Sequence, residues 1–250
     1  MRDRWPGFLL LFCILAIWQW GSSVGYFDAV AFPPVTIIAQ AWLTSVLNGE
    51  LPGQLLPTIG RIAGGIAIAT GAAVPLGLMM GTVRIVHRLL EPLVEFVRPI
   101  PSSAYIPVAI LFLGIGNPMK LFVVSLACFF PILLNTYSGV RGIDRILIDT
   151  GRTFGASRLR IIRQIILPAV LPNILTGIQI SLGISLVVAV VAEMISGNNG
   201  IGYFILNMQR IFQVPEMFAG IFTLGILGYL VNTGFLQAER FLLRWRVSPY

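Results

Sequence analysis

Charge is what this chain has least of. Only 11% of its 250 residues are Asp, Glu, Lys or Arg, against roughly 25% in an average soluble domain. A water-exposed surface on a chain this long needs far more, so most of its outer face must meet lipid. Histidine and cysteine are scarcer still. His87 stands alone in a basic stretch and reads as a solvated loop residue. Cys13 and Cys128 both fall inside apolar runs, where they read as small packing residues rather than a disulfide. No cluster of Cys, His and carboxylates offers metal or nucleophile chemistry. The chain also lacks any Gly-x-x-x-x-Gly-Lys-Ser/Thr run. The nearest stretch, Gly114 to Lys120, has the wrong spacing and no hydroxyl, which excludes ATP hydrolysis by a P-loop.

What is abundant is uncharged sequence. A helix needs about 20 apolar residues to cross the hydrocarbon, and a central charge costs a few kcal/mol. Seven runs qualify: Trp5 to Phe27, Ala29 to Gly49, Ile62 to Val83, Pro99 to Met119, Leu121 to Val140, Gln164 to Ala192 and Met217 to Ala238. The second opens on Pro33 and Pro34. It then places Val35, Ile38, Ala39, Trp42, Leu43 and Val46 on one helical face and Thr36, Gln40, Thr44 and Asn48 on the other, the pattern of a helix lying on a membrane surface. The expectation is therefore an all-α membrane protein with about six transmembrane helices, near 6–26, 56–82, 90–114, 119–140, 167–193 and 216–238.

Orientation follows from the basic residues, because Lys and Arg in short loops stay cytoplasmic. Thirteen of the 17 fall on one side: Arg2 and Arg4, Arg84 and Arg88, six arginines from Arg141 to Arg163, and Arg240, Arg244 and Arg246. The other side receives Lys120 and Arg210, while Arg61 and Arg98 sit at span ends where they can snorkel to the interface. Both termini are expected to be cytoplasmic. The net charge of +7 then serves topology and does not imply nucleic-acid binding. A signal peptide is the competing description of the first segment, with Gly21, Ser22 and Ser23 as its small residues.

Helices in lipid associate through small residues. Gly60, Gly64, Ala67 and Gly71 make such a stripe in the second span, continued by Gly77 and Gly81, for packing within one subunit or between two; Ile66 is expected to face lipid. The third span carries Pro92, Pro99, Pro101 and Pro107. Proline removes an intrahelical hydrogen bond, and lipid cannot satisfy the carbonyl it frees, so this segment must face protein or a water-filled cavity. Ser102, Ser103 and Tyr105 lie beside the breaks, and Pro131 with Asn135 and Thr136 repeats the theme. These five polar residues are candidates for a translocation pathway, or for hydrogen-bonded structural kinks. Glu193 precedes the turn-rich Ser196 to Gly200 and either hydrogen-bonds loop amides or takes part in the solute route.

The stretch from Arg141 to Arg163 is the most patterned part of the chain. Asp144 is placed to cap a helix whose Ile146, Leu147, Thr150 and Phe154 share a face, and Gly155 ends it. Ser157 caps a second helix in which Arg158, Arg160 and Arg163 alternate with Leu159, Ile161 and Ile162, before Pro168 and Pro172. A helix, a sharp turn and a helix held between two spans can transmit force.

These residues carry a resemblance. Asp149-Thr150-Gly151, Gly155 four positions later, and Leu167-Pro168 resemble the Glu-Ala-Ala loop of permease subunits of ABC importers. Arg98-Pro99-Ile100-Pro101, Phe129 to Thr136, Gly155-Ala156-Ser157-Arg158, and Ala192-Glu193-Met194 with Gly200-Ile201-Gly202-Tyr203 are similar to the branch importing nitrate, taurine, sulfonates and bicarbonate. The resemblance implies a type I importer-like transmembrane domain over 54–240, preceded by a first span and interfacial helix over 1–53 and followed by a cytoplasmic tail over 241–250. It implies a coupling helix in the loop 141–163 that docks into an ATPase, with Asp149, Gly151, Arg152, Phe154, Gly155, Ala156, Ser157, Arg158 and Arg160 as docking residues. It also implies two ATPase subunits that bind ATP and Mg, no cofactor in this chain, a periplasmic or lipid-anchored solute-binding protein, a second permease copy, and a bacterial inner membrane. The solute expected is a small anion such as a sulfonate, nitrate, bicarbonate or aromatic acid. At the namesake triplet Asp149 shortens the usual Glu by one methylene, and Gly151 costs about 1 kcal/mol of helix stability relative to Ala, which points to a docking knob that is softer or matched to a particular partner. A secondary transporter or channel is the alternative and calls for intramembrane ionisable relays, for which only Glu193 and Glu95 are at hand. A membrane enzyme would need clustered His or Asp at one face.

Overall fold

In the computed structural model, residues 5–26, 28 and 31–244 are described. Arg2, Arg4, Arg246 and most of the expected tail lie outside them. The described residues form helices and no strands: α1 Trp5–Ser23, α2 Val35–Leu47, α3 Glu50–Thr82, α4 Arg84–Val97, a 3-10 turn Ser102–Tyr105, α5 Ile106–Leu113, α6 Asn117–Arg141, α7 Arg145–Thr153, α8 Arg158–Ile161, a π-turn Ile162–Ile166, α9 Leu167–Ser196, α10 Ile201–Arg210 and α11 Val214–Leu242. Among the described residues, four helical stretches are long and apolar enough to cross a membrane: α3, α6, the continuous run Arg158–Ser196, and α11. The expected third span is two helices, α4 and the Ser102–Leu113 segment, meeting at 88°. Pro99 and Pro101 donate no backbone hydrogen bond, so the helix stops at Val97 and restarts beyond Pro101. Two further apolar helical stretches, Leu9–Ser23 within α1 and α2, are shorter.

The chain divides into two compact units. One contains Met1–Thr58 and Glu193–Leu227. Its small core gathers Leu51, Ile201, Phe204, Ile205, Met208 and Ala219, and Trp42 and Val46 of α2 pack on it. The Trp42 indole N–H donates to Thr223 Oγ1 at 3.0 Å. Helix α2 buries Ile38 and Ser45 and half-buries Trp42, while Ala39 and Leu43 of its expected apolar face are exposed. Helix α10 was not foreseen, although Ile201, Phe204, Ile205 and Met208 repeat at helical spacing.

The other unit contains Ile59–Ala192 and Gly228–Tyr250. Here α3 lies directly on α6, and glycine makes the approach possible. A Cβ at Gly64 would meet Leu121 at 2.9 Å, one at Gly77 would meet Thr136 Cβ at 2.8 Å, and one at Gly81 would meet Val140 Cβ at 2.5 Å. Gly65, unremarked in the sequence, is pressed on Val124 in the same seam. Gly60 and Gly71 face open space, and Ile66 is half-buried against the core rather than turned to lipid; Ile68 is the exposed neighbour. Helix α9 closes on α6 the same way, with Gly177 against the Ile132 backbone and Gly139 against Val170 and Asn173. Ser181 joins the two through a 3.2 Å hydrogen bond to the Cys128 carbonyl.

Candidate functional site

The segment between α6 and α9 is built by local hydrogen bonds that the sequence spells out. Asp144 Oδ1 accepts from the Ile146 N–H at 2.9 Å and starts α7. At the other end Gly155 takes φ +70°, the Ala156 N–H reaches the Gly151 carbonyl at 3.0 Å, and the Gly155 N–H reaches Arg152 at 2.9 Å. That is a glycine-terminated helix with its last carbonyls satisfied. Ser157 Oγ then accepts from the Arg160 N–H and starts α8. The second helix is not the separate element expected: it runs through the π-turn into α9, and the turn widens just before Pro168, which has no N–H to offer Gln164.

Helix α7 has two unlike faces. Ile148 and the buried Gly151 lie inward among Ile161, Ile162 and Ile165, in a cluster that continues into Val140 of α6 and Val170 and Ile174 of α9. Ile146, Leu147 and Phe154 point outward, and Phe154 is 85% exposed. The face expected for Ile146, Leu147, Thr150 and Phe154 therefore exists and is uncovered. Gly151 also has a packing role: a Cβ there would lie 2.6 Å from Ile165 Cδ1, so the glycine admits Ile165 against the helix. Asp149 pairs with Arg152 at 3.1 Å on the open surface. Arg152, Ala156 and Arg158 line a cavity of about 890 Å³ that Arg84 also borders, whereas Arg160 does not line it.

At the broken span, Ser102 and Tyr105 border a cavity of about 420 Å³ together with Arg98, Phe130 and Pro131. Ser103 is exposed on the turn and is not among the residues bordering it. Asn135 and Thr136 do not join them either. The Asn135 amide donates to the Pro131 carbonyl at 2.8 Å, and the buried Thr136 hydroxyl donates to Ile132 at 2.7 Å in the seam against Gly77. Both hydrogen-bond their own helix.

Glu193 is fully buried. Its carboxylate accepts from Thr58 Oγ1 at 2.9 Å and from the Gly202 N–H at 2.9 Å, Thr58 Oγ1 in turn accepts from the Ile201 N–H at 3.0 Å, and Gln54 Oε1 accepts from the Gly200 N–H at 2.7 Å. Gly200, at φ +106°, leaves no room for a side chain beside that carboxylate. Thr58 and Gln54 carried no signal in the sequence. Three further polar residues depart from their topological reading. Arg61 is buried, its Nε and Nη2 donating to Asn117 Oδ1 at 3.0 and 2.7 Å. Lys120 is buried rather than exposed in a loop. His87 lies in α4, stacked on Tyr137 at 5.0 Å between ring centroids. Among the described residues no three His, Cys, Asp or Glu side chains group to hold a metal.

Long apolar helices, one broken span and an outward-facing short helix on a two-span hairpin describe a membrane transport subunit. Residues 73–245 match the family model "Binding-protein-dependent transport system inner membrane component", and the chain belongs to that family, the permease subunits of ABC transporters. Such a subunit is not an enzyme; the ATPase resides in a separate partner chain. A protein of Brucella abortus (strain 2308) named as an ABC transporter permease is 38% identical over 219 residues, 87% of each chain. SsuC of Bacillus subtilis (strain 168), named for aliphatic sulfonates transport, is 36% identical over 99% of this chain and 90% of its own. A chain of the MetNI methionine ABC transporter, solved facing inward, shares the fold at TM-score 0.67 with 19% identity, over 76% of this chain and 94% of that one.

Proposed function

We propose that two copies of this chain line a pathway through the bacterial inner membrane for import of a small anion, with a sulfonate, the class named for the Bacillus subtilis relative, as the leading candidate. A periplasmic or lipid-anchored binding protein delivers the solute. Each copy seats α7 in one of two ATPase subunits, which bind ATP and Mg. Both termini face the cytoplasm. ATP-driven closure of the ATPases draws the two α7 helices together and swings the spans between inward-open and outward-open states.

The observation that carries this reading is the two-faced α7. No described residue covers its outward apolar face, and Phe154 at its end is the natural anchor for a partner groove. Its inward face is locked to α6 and α9 through Ile148, Gly151 and Ile165, and Val74 and Leu78 of α3 join the same cluster. A push on Phe154 is therefore passed to three spans at once, because a close-packed cluster moves as a body. Arg160 supplies polar contacts at the dock, with Arg152 and Arg158 at its edge.

Co-purification tests it. The wild-type permease brings down its ATPase, and Phe154→Asp or Gly155→Pro abolishes this while the spans stay folded. Proline cannot adopt the φ of +70° found at Gly155. Retention of the ATPase by both variants would defeat the docking assignment.

A further inference from the structure

The cavity at the broken span is two-sided. Its lining residues with polar side chains come from one short stretch: Arg98 at the end of α4, and Ser102 and Tyr105 of the 3-10 turn. Its opposite wall is apolar and comes from other helices, Phe130 and Leu134 of α6 and Ile184 of α9. The two prolines fix the backbone between Arg98 and Ser102, so the polar side is held in place before anything binds. Arg61 already spends its donors on Asn117. Arg98 differs: among the described residues none pairs with its guanidinium.

We infer that this cavity binds an organic monoanion with an apolar body, a sulfonate or carboxylate on a short alkyl or aryl group, in preference to a bare inorganic oxyanion. The inference rests on the reading above that the break borders the solute pathway, and it narrows the solute class. Arg98 engages the anionic head through charge-assisted hydrogen bonds, and a guanidinium fork suits the paired oxygens of a sulfonate or carboxylate. Ser102 and Tyr105 donate to its remaining oxygens. The body then lies on Phe130, Leu134 and Ile184, where each methylene removed from water adds to binding. Nitrate or bicarbonate satisfies the polar side alone and leaves the apolar wall facing water. The volume, about 420 Å³, falls in the range of small-molecule sites, roughly 300–1,000 Å³, and exceeds what a four-atom anion fills.

The test uses the permease–ATPase complex in lipid nanodiscs without the binding protein, so that the selectivity read belongs to the permease. Binding of ethanesulfonate, butanesulfonate, hexanesulfonate and nitrate is measured by calorimetric titration. Affinity is expected to rise roughly two- to four-fold per added methylene until the cavity is filled, with nitrate at least about ten-fold weaker than butanesulfonate. Arg98→Gln weakens every sulfonate about ten-fold or more, and Arg98→Lys recovers part of the loss because charge returns without the fork. Leu134→Trp narrows the apolar end and abolishes the chain-length dependence while ethanesulfonate still binds. A flat series, nitrate binding as tightly as butanesulfonate, no sulfonate binding to the wild type, or an Arg98→Gln variant that binds normally would each overturn the inference. ATPase retention and ATP hydrolysis are read on the same samples. If both persist beside a flat series, only the solute class fails. If the ATPase is not retained, the functional reading fails, and the titrations are then read on the permease alone in the same nanodiscs.

Discussion

Ile165 Cδ1 occupies the space that a side chain at Gly151 would need, 2.6 Å from where its Cβ would stand. The contact fastens the short helix α7 to the stem from which α9 rises. It also gives a reason for glycine in a helix, where glycine alone costs about 1 kcal/mol relative to alanine.

Substitution at Gly151 is expected to depend steeply on size. The opposing atom is the end of a flexible side chain, so Gly151→Ala is accommodated by rotation of Ile165, and the gain in helix propensity offsets the crowding to within about 1 kcal/mol. Gly151→Leu must lift α7 off its seat and weaken ATPase binding. Combining it with Ile165→Ala recovers much of the loss, a coupling that a double-mutant cycle on ATPase affinity would detect.

The α3–α6 seam predicts a contrast within one helix. Gly77→Ala drives a methyl into Thr136 and into the Leu133 carbonyl, 3.0 Å away, which cannot rotate aside. The cost expected is about 1–3 kcal/mol. Gly71→Ala meets open space and is expected to cost nothing. Thermal unfolding in detergent, followed by helical signal, separates the two.

For Glu193 the order of variants matters more than any single value. Glu193→Ala strands the Gly202 N–H, from which the carboxylate now accepts, at about 1–3 kcal/mol for a buried unpaired group, while the Thr58 hydroxyl can turn to the Gln54 carbonyl 3.3 Å away. Glu193→Gln keeps one acceptor oxygen and is expected to be the milder change. Thermal stability of both variants decides it, and equal losses would contradict this network.

How far the sequence could be read depends on how local each feature is. The caps Asp144, Gly155 and Ser157 were legible because each bonds a neighbour two or three residues away. The packing role of Gly151 was not legible because its partner Ile165 is a turn and a helix further on. The same limit explains Thr136, whose hydroxyl looked available beside Pro131 but lies in the seam with Gly77. It also explains Arg61 and Lys120, which charge counting assigns to membrane edges and tertiary packing buries. Prolines 99 and 101 announced the interruption in the third span but not its 88° turn. Arg98 had an adequate topological explanation, and only the cavity beside it shows what else it can do.

The central claim is that this chain is a gated conduit driven through α7 by a separate ATPase. Uptake into proteoliposomes tests it most directly, with butanesulfonate as the labelled solute and the permease reconstituted alone, with the ATPase, and with ATPase, binding protein and ATP together. Concentrative uptake is predicted only for the full set, and its loss when Phe154→Asp replaces the wild type. Concentrative uptake by the permease alone would contradict the account.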